Sequence, residues 1–148
     1  MIKVDLKSNL DFLKEYVKLC ALEWGKPKSD NEIQEKINLI LSGDKVISAL
    51  GIVEDRCLIG FISLFKYDGD ERRDLSPWYA TMYVREEYRG KGYSKILNEM
   101  IIEEAKRLGY KKIYLKTDLV NYYEKFGAIY IDDLKCGEKL YYINCVNY

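Results

Sequence analysis

Residues 79–116 carry two different hydrophobic periods on either side of a glycine-bearing loop, and that succession leaves few topologies open. Tyr79 to Val84 alternates as a strand does, with Ala80, Met82 and Val84 on one face and Tyr79, Thr81 and Tyr83 on the other. A polar stretch, Arg85 to Lys91, follows. Ile96, Leu97, Met100, Ile101, Ala105 and Leu108 then recur at three- and four-residue spacing, the period of a helix with one apolar face. Lys106 and Arg107 fall in its last turn and Gly109 just beyond, as a helix stop requires. Lys112 to Lys116 resumes a strand period. A strand, a helix and a strand in that order predict two parallel strands joined by a right-handed crossover.

The loop carries the chemistry. Gly90 and Gly92 stand one residue apart at the expected start of the helix. Glycine lets a ligand approach the backbone closely, and a helix N-terminus offers unpaired N–H groups at the positive end of a dipole. Arg89, Gly90, Lys91, Gly92, Tyr93 and Ser94 therefore read as a cradle for a phosphate or pyrophosphate, with Lys95 adding charge. Other glycine loops fit worse. The chain has no G-x-x-x-x-G-K-[ST] run. A dinucleotide fingerprint needs a third glycine and a strand directly before the first, whereas Arg85 to Arg89 separate Val84 from Gly90.

The run from Val84 to Leu97, VREEYRGKGYSKIL, resembles the signature segment of the GNAT family of N-acetyltransferases, whose acyl-CoA pyrophosphate loop follows Arg/Gln-x-x-Gly-x-Gly/Ala. Ser94 stands where that family prefers glycine or alanine, and serine is small enough to keep the turn. Tyr122-Tyr123-Glu124-Lys125-Phe126-Gly127-Ala128 is similar to the family's second signature, with Ala128 in place of its usual larger residue. The resemblance is specific from about Trp78 to Tyr130 and loose over the N-terminal half.

The rest of the chain supplies a matching order of elements. Ile2 to Leu6 alternates as a short strand. Ser8 or Asn9 caps a helix over Leu10 to Trp24, with Phe12, Leu13, Tyr16, Val17, Cys20 and Leu22 as core candidates, and Gly25, Lys26 and Pro27 end it. Ser29 or Asp30 caps a second helix, Asn31 to Leu41, with Ile33, Ile37, Ile40 and Leu41 on one side. Val46 to Glu54 and Cys57 to Phe65 read as an antiparallel hairpin. Asp118 to Phe126 reads as a short helix, and Gly127 to Ile131 and Lys139 to Val146 as final strands. The order is β-α-α-β-β-β-α-β-α-β-β. The resemblance implies its topology: an α/β (α+β) fold with a mixed, twisted central sheet and flanking helices. A length of 148 residues with no visible linker suggests a single domain over residues 1–148. KLYYINCV near the C-terminus reads as an exposed edge open to pairing in a homodimer.

Composition narrows the partners. Lys plus Arg and Asp plus Glu number 24 each, so net charge gives no reason to expect nucleic acid or an anionic membrane as partner. No apolar run is long enough to span a bilayer, and MIKVDLKSNLDF is not a signal peptide, so a soluble cytoplasmic protein is expected. There is no histidine. That removes Ser-His-Asp and Cys-His catalysis and histidine-ligated metals. Cys20, Cys57, Cys136 and Cys145 show no C-x-x-C pair and read as reduced, buried or half-buried filler.

What the resemblance implies is acetyl transfer from acetyl-CoA, as co-substrate, to a primary amine of a small molecule. The alternatives are a protein N-terminus or lysine as acceptor, or an acyl-CoA-binding or sensing module without turnover. The pantetheine arm is implied beside Met82, Tyr83 and Val84. Tyr123 aligns with the family's proton donor. A phenol of pKa about 10 is protonated at neutral pH, and an alkaline limb near pH 9–10 is expected from it. For the base, Asp74 or Asp118 are the acids nearest by position, and a water chain held by Thr81, Tyr83 or backbone groups serves equally. Trp24, Trp78 and Tyr79, with Tyr67, suggest an aromatic acceptor wall, near Asp68, Asp70, Glu71 and Asp74.

With no histidine cluster or cysteine pair to hold an ion, activity is expected to survive EDTA. Loss on chelation with recovery on adding zinc would overturn this reading of the cysteines.

Overall fold

The computed structural model describes residues 1–25 and 29–145; Lys26, Pro27 and Val146, invoked above as helix breakers and strand end, lie outside them. The strands are β1 (Ile2–Asp5), β2 (Val46–Glu54), β3 (Cys57–Phe65), β4 (Trp78–Val84), β5 (Lys112–Thr117), β6 (Ile129–Asp133) and β7 (Lys139–Asn144), and the helices are α1 (Leu10–Trp24), α2 (Asp30–Ser42) and α3 (Tyr93–Arg107). One seven-stranded sheet runs in the order β1-β2-β3-β4-β5-β7-β6. Every neighbouring pair is antiparallel except β4 with β5, which is parallel as the strand–helix–strand pattern requires.

Local chemistry explains the elements. Ser29 caps α2 by accepting from the Glu32 N–H, and Gly43 closes it in the left-handed region. β2 and β3 join through Asp55 and Arg56, both at positive φ (49° and 64°), as a two-residue type I′ hairpin needs. β2 and β3 are buried over most of their length because helices cover both faces of the sheet. On one face Leu97, Ile101 and Ala105 of α3 pack on Ile59, Ile62 and Ile113. On the other, Leu13, Tyr16 and Val17 of α1 and Ile33, Ile37 and Ile40 of α2 pack on Ala49 and Phe61. Among the described residues no helix is long and apolar enough to cross a membrane.

Several expectations need correction. The second helix of the C-terminal half is only a 3₁₀ turn, Tyr123–Phe126. Thr117 Oγ1 accepts the Leu119 N–H and Asn121 takes φ 57°, so residues 118–122 turn instead of coiling. Leu22 is 70% exposed, and Leu41 and Leu108 also face outward, each lying off the buried stripe of its helix. Cys57 and Cys136 are exposed, not filler. β7 is paired on both sides, so the free edge at this end is β6, whose residues are all exposed. The alternation in β4 is also interrupted. A bulge lies opposite Ile62, with Thr81 at φ 52°. Tyr79 thereby joins Met82 and Val84 on the α3 side, while Tyr83 packs on the α1 side.

The hairpin offers a clean test. A side chain in the left-handed region costs about 1–2 kcal/mol, and glycine returns about 0.5–1 of that as chain entropy. Arg56→Gly is expected to raise the urea midpoint, by roughly 0.5–1 kcal/mol of stability. A lower midpoint would mean that Arg56 makes contacts worth more than its strain.

Candidate active site

β4 and β5 share a single registered pair, Trp78 with Tyr114, and then part. Beyond that pair the β5-facing edge of β4 lacks a partner strand. The Arg85 N–H turns to β3, donating to Ile59 O, while Val84 O turns to the gap and accepts from Arg89 Nε at 2.8 Å. By strand alternation the backbone of Met82 also faces the gap. A row of backbone donors and acceptors thus opens on a cleft.

That cleft, about 710 Å³, runs from β4 to the start of α3 and is lined by Met82, Tyr83, Val84, Arg89, Gly90, Gly92, Tyr93, Ser94 and Lys95, all expected from the sequence. Gly90 and Gly92 take φ 76° and 87°, and a Cβ on either would meet nothing within 4 Å. Open ground above two left-handed glycines, at a helix whose N-cap makes no side-chain bond, suits an anion. Lys91 does not line the cleft; its ammonium lies 5.6 Å from the Tyr88 ring centroid. The sequence reading missed Glu23, Tyr88, Leu119, Lys125 and Phe126, which also line it, Tyr88 edge-on to Tyr93 at 6.1 Å. Lys125 and Phe126 were in view as part of the YYEKFG run, whose register offered the one signal.

A second cleft of about 550 Å³ lies beyond the parting of β4 and β5. Trp24 and Tyr79 line it as expected, with Asp68. Trp78 does not: it is buried in a small core with Leu134 and Leu140, and its Nε1 donates to Leu75 O. Neither Asp74 nor Asp118 lines either cleft. Asp74 is held in a two-pronged ion pair by Arg72, which keeps its carboxyl below the usual range. Asp70 lies 3.8 Å from Arg73, whose guanidinium covers the Tyr67 ring. Glu71 accepts from the Lys135 and Cys136 N–H groups, tying the β3–β4 loop to the β6–β7 turn. Tyr16, Cys20, Lys36, Phe65, Lys116 and Glu138 also line this cleft, and nothing in their spacing announced it.

The two clefts share Trp24, Met82 and Tyr123. Tyr123 packs edge-on to Tyr79 at 5.6 Å and to Tyr122 at 4.8 Å. Burial, helped by the neighbouring Tyr122, pushes its phenol up to about 12. Burial also raises the Asp68 carboxyl, against the opposing pull of Lys116. Below the clefts, Tyr16 Oη lies 2.7 Å from Ser63 Oγ, and Thr81 Oγ1 donates to Ser63 Oγ at 2.7 Å. Three hydroxyls so grip the bulge from the α1 side. Among the described residues no group of three or more His, Cys, Asp or Glu side chains is placed to hold a metal ion.

The sequence model of the Acetyltransferase (GNAT) family matches residues 11–128. Among solved structures, an aminoglycoside 6'-N-acetyltransferase complexed with coenzyme A is similar at 18% identity and TM-score 0.76, covering 100% of this chain and 99% of that one. The aminoglycoside 6'-N-acetyltransferase from Enterococcus faecium is 18% identical, with TM-score 0.72 and the same coverage of 100% and 99%. The structure of yncA from Salmonella typhimurium with its cofactor acetyl-CoA is 15% identical, with TM-score 0.70, covering 100% and 95%. No curated protein matches the sequence significantly.

The glycine loop is testable directly. Gly92→Val puts a branched Cβ into the open ground above the loop and disfavours φ 87°. Coenzyme A affinity by calorimetry is expected to fall at least about tenfold, roughly 1.4 kcal/mol, with the folded signature of circular dichroism retained. Undiminished affinity in a folded variant would refute the phosphate cradle.

Proposed function

The chain belongs to the GNAT acetyltransferase family, and we propose that it transfers the acetyl group of acetyl-CoA to a primary amine, that of a small molecule. The observation that carries this reading is the meeting of two clefts at Met82 and Tyr123, one with an anion cradle and one with a half-buried carboxylate. A ligand in each brings its reactive end to the same place. The sheet draws strands from both ends of the chain, which supports residues 1–148 acting as one domain. Four unpaired thiols suit a reducing compartment such as the cytoplasm.

Acetyl-CoA supplies an acetyl group activated as a thioester. The uncapped start of α3, with Arg89, Lys95 and Lys125, holds its pyrophosphate. The Met82 N–H at the open edge of β4 stabilises negative charge gathering on the carbonyl oxygen. The amine must first lose a proton, and Asp68 replaces Asp74 and Asp118 as the candidate base. It lines the acceptor cleft, and desolvation, by raising its carboxyl, makes the carboxylate a stronger proton acceptor. The nitrogen then bonds to the carbonyl carbon, the carbon–sulfur bond breaks, and the electron pair leaves on sulfur. Tyr123 donates to that sulfur, and the proton shed by the new amide nitrogen restores the phenol through cleft water. Two protons leave the nitrogen in all: the one taken by Asp68 passes to solvent, and the other replaces the one that Tyr123 gives to the thiol.

The raised phenol alters the expected pH profile. A group held at about 12 stays protonated up to that pH, so the alkaline limb moves above the 9–10 expected for a free phenol. Tyr123→Phe deletes the hydroxyl and keeps the ring contacts. Its kcat for thiol release is expected to fall about 10²–10⁴-fold with coenzyme A affinity unchanged. Tyr122→Phe should behave nearly as wild type. If the Tyr122 change cripples turnover and the Tyr123 change does not, the donor is the neighbour. If neither matters, the thiolate leaves without Tyr123.

A further inference from the structure

The acceptor cleft has a charge pattern that discriminates between classes of amine. Among the described residues, four charged side chains line it: Lys36, Lys116, Asp68 and Glu138. Two cations and two anions sum to zero. The remainder is mostly apolar or aromatic, including Val17, Trp24, Phe65, Tyr79 and Leu115. A polycation would bring several ammonium groups into a small space that already holds two lysines, with no surplus of negative charge to receive them. A hydrophobic monoamine without an acid would leave the lysines unmatched.

Asp68 and Lys116 sharpen the pattern. Each is half-buried, and the lysine acts on the carboxylate through space. Yet no ion pair within 4.0 Å joins them, although pairs of that length occur elsewhere in the molecule. Two opposite charges line one cleft without a direct ion pair between them, the Lys116 ammonium lying close to Gly69, and so present a dipole to it. An α-amino acid carries the complementary dipole, its ammonium and carboxylate on one carbon. The size of the cleft, about 550 Å³, lies in the range of small-ligand sites.

Resting on the acetyl-transfer reading above, we propose that the acceptor is a free α-amino acid with an apolar or aromatic side chain. Lys116 takes its carboxylate, Asp68 faces its amine, and the apolar wall receives its side chain. The cleft discriminates by matching one acid group as well as one amine. Polycationic acceptors, including aminoglycosides, lack that acid group.

Binding and turnover test this separately. Phenylalanine, phenylalanine amide, phenethylamine and kanamycin are titrated by calorimetry into the protein saturated with coenzyme A. Thiol release from acetyl-CoA is followed with the same four compounds. Phenylalanine is expected to bind at least about tenfold more tightly than the amide or the amine, and Lys116→Met to erase that preference by weakening phenylalanine alone. Equal or tighter binding of the amide, of phenethylamine or of kanamycin would overturn the inference, as would no binding of phenylalanine. The wild-type series decides this even if the variant fails to fold. Phenylalanine bound with the expected preference but no thiol released from any compound would uphold the amino-acid cleft and overturn acetyl transfer. Thiol released fastest with kanamycin or phenethylamine would do the reverse.

Discussion

The parting of β4 from β5 is the constraint on which the site depends. Backbone N–H and C=O groups inside a protein must be paired, and the interior of a sheet normally pairs them all. Here the strands hold together at Trp78 and Tyr114 and then separate, leaving the Met82 edge facing open space. Such an edge is tolerable only where water or a ligand reaches it. Both clefts border the parting, so the same backbone that cannot complete the sheet becomes a floor that the two clefts share. The fold at large exists to hold that gap open: α3 braces one face and α1 with α2 the other.

Keeping β4 in that shape has a local cost. Thr81 is β-branched and sits at φ 52°, a conformation that costs on the order of 1–3 kcal/mol and persists only when its surroundings enforce it. Tyr16 and Ser63 supply part of that enforcement through their hydroxyls. The helix that carries Tyr16 ends at Trp24, where the two clefts meet. Thus α1 grips the strained strand with one turn and borders the junction with its last.

Where function needs regular structure, the sequence announced it. The bounds of α1, β2 and β3 follow from hydrophobic period, although the Asn9 side chain at the start of α1 makes no capping bond and Ser8 donates to Asp5 instead. Nine of the ten residues expected at the cofactor line the glycine-loop cleft, since a loop and the helix it opens are contiguous in the chain. The acceptor cleft was hidden for the opposite reason. Its walls come from α1, α2, the β3–β4 loop, β5 and Glu138, segments whose meeting only the tertiary fold decides. The bulge misled as well. One extra residue in β4 moves Tyr79 to the face opposite the one that strict alternation assigns, and no residue type in WYATMYV marks it. Asp74 illustrates a third limit: its place just before β4 suggested a base, whereas Arg72, two residues away, claims its carboxylate.

The glycines of the loop also separate two kinds of selection. A Cβ at Gly90 or Gly92 would meet no part of the protein within 4 Å; the cost to folding of adding one is the backbone conformation, which asparagine tolerates well. Selection for a stable chain therefore has little grip on these positions, whereas selection for a ligand held against the loop would have a strong one. A lineage released from its ligand would drift here early while the core under α3 stayed intact, leaving a well-folded descendant with a silent cleft.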